Sequence, residues 1–319
     1  MTSSSPDLEA HRPLLLAHCY QMLASPHDAA DAVQETMIRA MRGLSGFLGE
    51  TSLRRWMVRI ATRVCLDMLR QDKRRARYLT EWPGAADDAL TMAPADAWVE
   101  PIPDAWIVSP DNSPDEQVIQ RQQVRLAFIA ALQQLTPRQR AALLLSQVVG
   151  WRAAEIAQAL ETSVGAVNSA LQRARAQLDQ SALSPADVED DEGAAVEPYI
   201  SAFEAYDVDA LTALLTDDVK FSMPPVSLWL QGPEQVAAFL RGPGHACEGS
   251  VLLRTRANGR AALGQYRDGG RLPWGLVTLE TRGGRVAGIT TYLNVGSLFP
   301  LFGLPSTAQK FTQKMISHR

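Results

Sequence analysis

Apolar residues recur at helical intervals through the first quarter of the chain. Ser25-Pro26 opens a helix, with serine as N-cap and proline at the first helical position. Over 28–41 the spacing puts Ala29, Ala32, Val33, Thr36, Met37 and Ala40 on one face. The opposite face carries Asp31, Gln34, Glu35, Ile38 and Arg42. An isoleucine among acids suggests a docking surface with an apolar knob; periodicity alone fits an ordinary solvated face as well. A further helix starts near Thr51-Ser52 and runs to about Arg77, with Leu53, Met57, Ile60, Ala61, Val64 and Met68 as its core stripe.

A second helical block follows residue 117. Thr136-Pro137-Arg138-Gln139 has the form of a capping box. After it come an apolar helix, a short helix at 153–160, the turn Glu161-Thr162-Ser163 and a helix from Val164. In that last helix Val164, Val167, Leu171, Ala174 and Leu178 face inward. Gly165, Ala166, Ser169, Gln172, Arg173 and Ala176 face outward, flanked by Asn168 and Arg175. Two short helices with a three-residue turn, the second polar and basic, form a helix-turn-helix. Ser169, Gln172, Arg173 and Arg175 are its candidate DNA contacts. A plain helical hairpin is the bland alternative.

The pattern changes again after residue 196. Helix, turn and helix lead to a strand at about 219–223 and a short helix over 232–240. Four Gly-bounded strands then cover 250–259, 260–270, 274–284 and 285–294. This order predicts an α+β domain with a sheet curled around helices. The fold class is therefore multidomain: two all-α domains and a C-terminal α+β domain. The boundaries are 1–78, a linker at 79–116, 117–180, a linker at 181–195, and 196–319.

Charge sharpens this division. The 319 residues sum to −4, but residues 1–78 carry twelve bases against eight acids, and 117–180 seven against three. The linker 79–116 has nine acids, six prolines and no base; 181–195 has five acids and no base. Two basic modules with an acidic strap between them suit one polyanion, although acidic linkers also serve solubility alone. Residues 51–78 hold nine bases and two acids. Arg55, Arg59, Arg63, Arg70, Lys73, Arg74 and Arg77 cluster on about a quarter of the helix circumference, a stripe suited to phosphates. Trp56 borders it and could stack on an unpaired base, with core packing as the alternative.

Other chemistry is thin. Cys19, Cys65 and Cys247 are scattered, with no metal-binding spacing, and a sparse odd count suits a reducing cytoplasm. No metal, cofactor or catalytic residue is expected. No signal peptide is read at the N-terminus, and no apolar run reaches about 18 residues, so no membrane span is expected. Candidate cavity-lining residues in the last domain are Tyr199, Trp229, His245, Tyr266, Trp274, Tyr292 and Asn294. They supply no convincing acid/base pair, which favours a regulatory or ligand-sensing domain over an enzyme.

The ordered pieces HCYQMLASPHDAADAVQETMIRA, SLRRWMVRIATRVCLDMLRQDKRR and LTPRQRAALLLSQVVGWRAAEIAQALETSVGAVNSALQRARAQL resemble extracytoplasmic-function sigma factors of bacterial RNA polymerase. The resemblance covers residues 8–180. It implies that Asp28, Asp31, Gln34, Glu35 and Ile38 dock on the clamp coiled coil of the polymerase largest subunit. It implies that Trp56, Arg59, Arg63, Arg70, Lys73 and Arg74 bind the minus-ten promoter region and help open it. The helix-turn-helix then reads the minus-thirty-five element and meets the β flap. Many members carry a base where this chain has Asn168 and Ala170. The VNSALQRARAQL wording, with AWVEPIPD, TRANGRAALGQYR and LFPLFGLP, resembles a subgroup with an added SnoaL-like, cone-shaped domain. The implied function is promoter recognition, melting and initiation with core polymerase in the cytoplasm, modulated by that domain. Two alternatives stay open at this point: a ligand-responsive regulator acting without polymerase, and a sigma module fused to a small isomerase or hydrolase.

Overall fold

A computed structural model describes residues 7–47, 52–71, 92, 98–108, 113–147, 149–180 and 192–308. The chain forms two compact units: residues 1–79 with 99–184, and residues 80–98 with 185–319. Lys73 and Arg74 of the predicted basic stripe lie outside the described residues, as does Arg77.

The first unit is helical. It comprises α1 (Arg12–Leu23), α2 (Pro26–Gly43), α3 (Leu53–Gln71), α4 (Asp104–Ile107), α5 (Pro114–Gln123), α6 (Leu126–Gln134), α7 (Pro137–Gln147), α8 (Ala153–Ala159) and α9 (Val164–Gln180). Ser25 caps α2 by accepting from the Asp28 N–H at 3.4 Å. At α7, Gln139 N–H donates to Thr136 Oγ1 and Thr136 N–H donates to Gln139 Oε1, as the capping box predicts.

One continuous core runs from α1–α3 into α6–α9. In α3 Met57, Ala61 and Val64 are buried as expected, while Leu53, Ile60 and Met68 are half-buried. Val58, Thr62 and Cys65 are buried as well, because α3 packs against α1, α2 and α7 together. A helix covered on several sides buries more than one stripe.

The linker behaves differently from its composition. Val99, Ile102 and Ile107 are fully buried in the helical core. Glu100 N–H donates to the Ala24 carbonyl at 3.1 Å, and the Glu100 carbonyl accepts from Tyr20 Oη at 2.7 Å. Ser25 Oγ donates to the Glu100 carboxylate at 2.7 Å. Residues 99–107 are thus a packed strap rather than a solvated spacer. Three apolar side chains among prolines and acids are too sparse to show a period.

The second unit holds α10 (Glu192–Glu204), α11 (Val208–Ala213), β1 (Leu215–Met223), β2 (Val226–Gln231), α12 (Pro233–Arg241), β3 (Val251–Ala257), β4 (Arg260–Arg267), β5 (Leu272–Arg282), β6 (Arg285–Tyr292) and α13 (Val295–Leu301). The six-stranded sheet has the order β2-β1-β6-β5-β4-β3, with β1 and β6 parallel and the other pairs antiparallel. The sequence reading does not single out β2. It is a six-residue edge strand closed in by Pro225 and Gly232, with Leu228 and Leu230 turned inward.

Helices α10 to α12 pack on one sheet face through Val196, Tyr199, Phe203, Leu211, Val236 and Phe239. The other face carries α13. There Tyr266 meets Phe299 edge-on at 5.1 Å and donates its hydroxyl to the Pro305 carbonyl at 2.8 Å. Gly264 lies on that face, and a Cβ there would come within 2.8 Å of Leu304. Its missing side chain lets the segment after α13 lie close to the sheet.

Candidate nucleic-acid interface

Helix α2 turns its alanine-rich face inward and presents the acidic face outward. Asp31 and Gln34 are exposed, and Asp28, Glu35 and Ile38 are half-exposed. Asp28, Asp31, Glu35 and Ile38 follow a three-or-four spacing, which lines them along one side of the helix. Glu35 accepts from Arg39 Nε at 2.7 Å, and Arg39 also reaches Asp67 of α3 at 3.6 Å.

The basic side of α3 is divided. Arg70 pairs with Asp67 at 3.2 Å on its own helix. Arg63 pairs with Glu161 at 2.8 Å and donates through Nε to the Ala159 carbonyl at 3.2 Å. Arg55 pairs with Glu155 of α8 and lies 6.0 Å from the centroid of the Trp151 ring. The Glu155 carboxyl is held below the usual carboxylate range, first by the Arg152 N–H it accepts from and then by the Arg55 charge. Arg59 is half-buried and shows no carboxylate partner among the described residues. Trp56 packs against Phe47 with ring centroids 5.1 Å apart. In this arrangement it is half-buried and packed against the core.

Helix α9 keeps its outer face free of the core. Val167, Leu171 and Ala174 are buried, while Asn168, Ser169, Gln172, Arg173 and Arg175 are exposed. Ser163 Oγ accepts from the Ala166 N–H at 3.2 Å, holding the start of α9. The turn before it passes Glu161 through the left-handed region at φ 51°. That residue is also the partner of Arg63. Sequence periodicity does not reveal Glu155 and Glu161 as partners of α3, because nothing local marks them.

Arg140 is a further residue that the sequence hides. It is buried at the start of α7 and donates to the carbonyls of Leu132 at 2.8 Å, Leu135 at 3.2 Å and Gln133 at 3.3 Å. It also donates to the Met22 carbonyl at the end of α1. Gln133 adds a bond from Nε2 to the Gln21 carbonyl at 3.3 Å.

The second unit contains a cavity of about 200 Å³ between the sheet and α10–α12. Tyr199 and Trp274 line it. The other five expected residues do not. Tyr266 and Tyr292 point to the opposite sheet face, since their β4 and β6 neighbours Gln265 and Thr291 take the cavity side. Trp229 is on the outward side of β2. Asn294 stands at the N-cap position of α13 without a side-chain capping bond and donates to Ser297 Oγ at 3.3 Å. His245 is exposed, 3.3 Å from Glu248. Alternation identifies which residues share a face; it does not say which face the helices cover.

Comparison with known proteins matches this division. Residues 8–75 match Sigma-70 region 2, residues 125–178 match Sigma-70 region 4, and residues 196–292 match a SnoaL-like domain. The chain is 41% identical over 314 residues to an ECF RNA polymerase sigma factor, SigG, of Mycobacterium tuberculosis, covering 95% of this chain and 84% of that one. It is 27% identical over 245 residues to SigJ of the same organism, covering 74% of this chain and 72% of that one. The crystal structure of Mycobacterium tuberculosis SigJ superposes with a TM-score of 0.62 at 22% identity, over 94% of this chain and 99% of that one. That likeness concerns the fold.

Proposed function

The chain belongs to the ECF sigma factors of RNA polymerase, and from that premise we propose which surfaces carry its work and how the free chain restrains them. It is a polymerase-binding, promoter-recognising factor with core RNA polymerase and promoter DNA as partners. Its work is binding and strand separation rather than covalent chemistry, in the cytoplasm where both partners are.

Asp28, Asp31, Gln34, Glu35 and Ile38 form the docking face for the polymerase clamp. Their alignment on one side of α2 supports this. Arg59, Arg63 and Arg70, with Lys73 and Arg74, bind the minus-ten region, and Trp56 assists melting. Ser169, Gln172, Arg173 and Arg175 bind the minus-thirty-five element from the open face of α9.

The observation that carries the reading of the free chain is the double ion pair of α3 with the helix-turn-helix, Arg55–Glu155 and Arg63–Glu161. The two promoter elements lie about 25 base pairs apart, or about 85 Å at 3.4 Å per base pair. A compact body of this size spans roughly 40 Å. One body cannot reach both elements, so α1–α3 and α6–α9 separate when the polymerase takes them up. The free chain is a restrained form in which two arginines of the basic stripe are already neutralised.

The C-terminal domain acts as a binding module that modulates this factor. No aspartate, glutamate or histidine is among the described residues lining its cavity. Burial pushes up the two weak acids that do line it, the Tyr199 hydroxyl and the Cys247 thiol, away from the range that general acid/base work at neutral pH requires.

Run-off transcription with purified core enzyme and a mapped promoter tests the whole reading. The wild-type chain supports initiation, and Asp31→Arg, at an exposed position of α2, lowers core binding about tenfold or more while leaving the thermal unfolding of the full chain unchanged. A chain that neither binds core nor initiates rejects the reading.

A further inference from the structure

The cavity of the second unit is chemically one-sided. Phe203, Leu211, Phe221, Val236, Phe239 and Ile289 give it hydrocarbon walls. Its polar groups gather where Gln265 and Arg267 of β4 stand beside Trp274 of β5 and Cys247. Alternation along β4 places Leu263, Gln265 and Arg267 on the same sheet face. Gln265 is buried and fixed by a bond from Nε2 to Ser250 Oγ at 3.2 Å.

Arg267 is the charged member of the lining. Its guanidinium lies 4.2 Å from the centroid of the Trp274 ring. Stacking on an aromatic face orients the guanidinium while its edge N–H groups stay available for a carboxylate. Among the described residues no carboxylate pairs with Arg267. Burial pushes the Cys247 thiol up against the opposing pull of Gln265 and Arg267, so it remains neutral and does not compete for the cation.

We propose that this cavity binds a small, mostly apolar monocarboxylate, its hydrocarbon body against the aromatic and aliphatic walls and its carboxylate on Arg267. Size sets the body. An apolar cavity of about 150 Å³ accepts benzene, so about 200 Å³ accepts a phenyl ring with a short chain. Charge sets the head group. A carboxylate gains charge-assisted hydrogen bonds from the guanidinium. A second anionic group would be buried without a partner, and an ammonium would face an unpaired cation. The proposal rests on reading the C-terminal domain as a binding module; it does not require that binding change transcription.

Calorimetric titration of the full-length chain tests it with three probes that share the phenyl ring and three-carbon chain: 3-phenylpropanoate, its isostere 3-phenylpropanamide, and 3-phenylpropylamine. The expected order is carboxylate first, at least about tenfold tighter than the amide, with the amine weakest. Arg267→Met removes the preference for the carboxylate and leaves amide affinity within about threefold, and Arg267→Lys restores part of the preference. Thermal unfolding of each variant confirms that the domain is folded. Equal affinity for acid and amide, binding of none of the three, or an unchanged preference in Arg267→Met overturns the proposal. Run-off transcription with saturating 3-phenylpropanoate separates the two ideas. Arg267-dependent binding without a change in transcript rejects modulation by this class of ligand and leaves the site standing. Loss of the site with normal initiation rejects the site alone.

Discussion

Arg63 of α3 and Glu161, in the turn between α8 and α9, are joined by an ion pair of 2.8 Å. The Nε–H of the same guanidinium is donated to the Ala159 carbonyl. A residue of the proposed minus-ten surface is therefore occupied by the helix-turn-helix proposed to bind the other promoter element. Arg55 and Glu155 repeat the arrangement two turns earlier on α3.

Reversing the two glutamates should loosen this restraint. All four side chains are more than a third exposed, so each pair is worth about 0 to 1 kcal/mol. The Glu155→Arg, Glu161→Arg double variant should bind a single-stranded minus-ten oligonucleotide about two- to tenfold more tightly than the wild type, as measured by fluorescence anisotropy of the free chain. Glu161→Gly is a useful companion, since glycine keeps the left-handed turn while removing the pair. Unchanged affinity in both variants would show that the pairs do not restrain α3.

Arg140 holds α1 and α7 together by a means that exposed pairs cannot supply. Its guanidinium satisfies four buried carbonyls, including that of Met22. Arg140→Met removes that donor from all four, although the Leu132 carbonyl keeps the Leu135 N–H at 3.1 Å. The expected loss is about 3 kcal/mol or more, read as a lower urea midpoint for the helical unit.

His18 makes the helical unit acid-sensitive. Burial pushes its imidazole down to about 4, while Nε2 stays 2.9 Å from Thr62 Oγ1. The unfolded chain takes up the proton near pH 6.5 and the folded one does not until about pH 4. Its contribution is complete above pH 6.5 and is lost as the pH falls toward 4, amounting to about 3 kcal/mol. Stability curves at pH 7 and pH 4.5 should differ less in His18→Gln than in the wild type; an equal difference would remove His18 as the cause.

On the open face of α9, the proposed DNA contacts can be sorted into positioning and reading. Arg173→Ala should weaken promoter binding by holoenzyme across sequences and reduce the salt slope by about one. Gln172→Ala should instead reduce discrimination at one base pair, by about 1 to 3 kcal/mol. Competition binding on a set of single-base promoter variants checks both. A uniform loss for Gln172→Ala would reassign it to a backbone contact.

Local patterning made much of this chain legible. Ser25-Pro26, the Thr136–Gln139 box and the turn at 161–163 mark helix ends through backbone groups that a neighbouring side chain must satisfy. The +3/+4 spacing in α9 gives Val167, Leu171 and Ala174 as its buried face, since a helix places those positions together; Val164, expected inward, is exposed at the first turn of the helix, and Leu178 is half-buried. The strands of β3 to β6 follow from Gly-bounded alternation.

Periodicity could not say what covers an apolar face, and there the tertiary structure decided. Val99, Ile102 and Ile107 read as part of an acidic linker until the helical core closes over them. Arg55 meets Glu155 from 100 residues away, a distance over which no local pattern operates. On β4 the sequence offers two faces of similar polarity, with Tyr266 on one and Gln265 and Arg267 on the other. Packing of α10–α12 against one face and α13 against the other made the second the wall of a cavity. Sequence fixes the faces because they depend on bond geometry within an element. Which face meets which depends on how the elements share the work of excluding water, and that is settled by the fold as a whole.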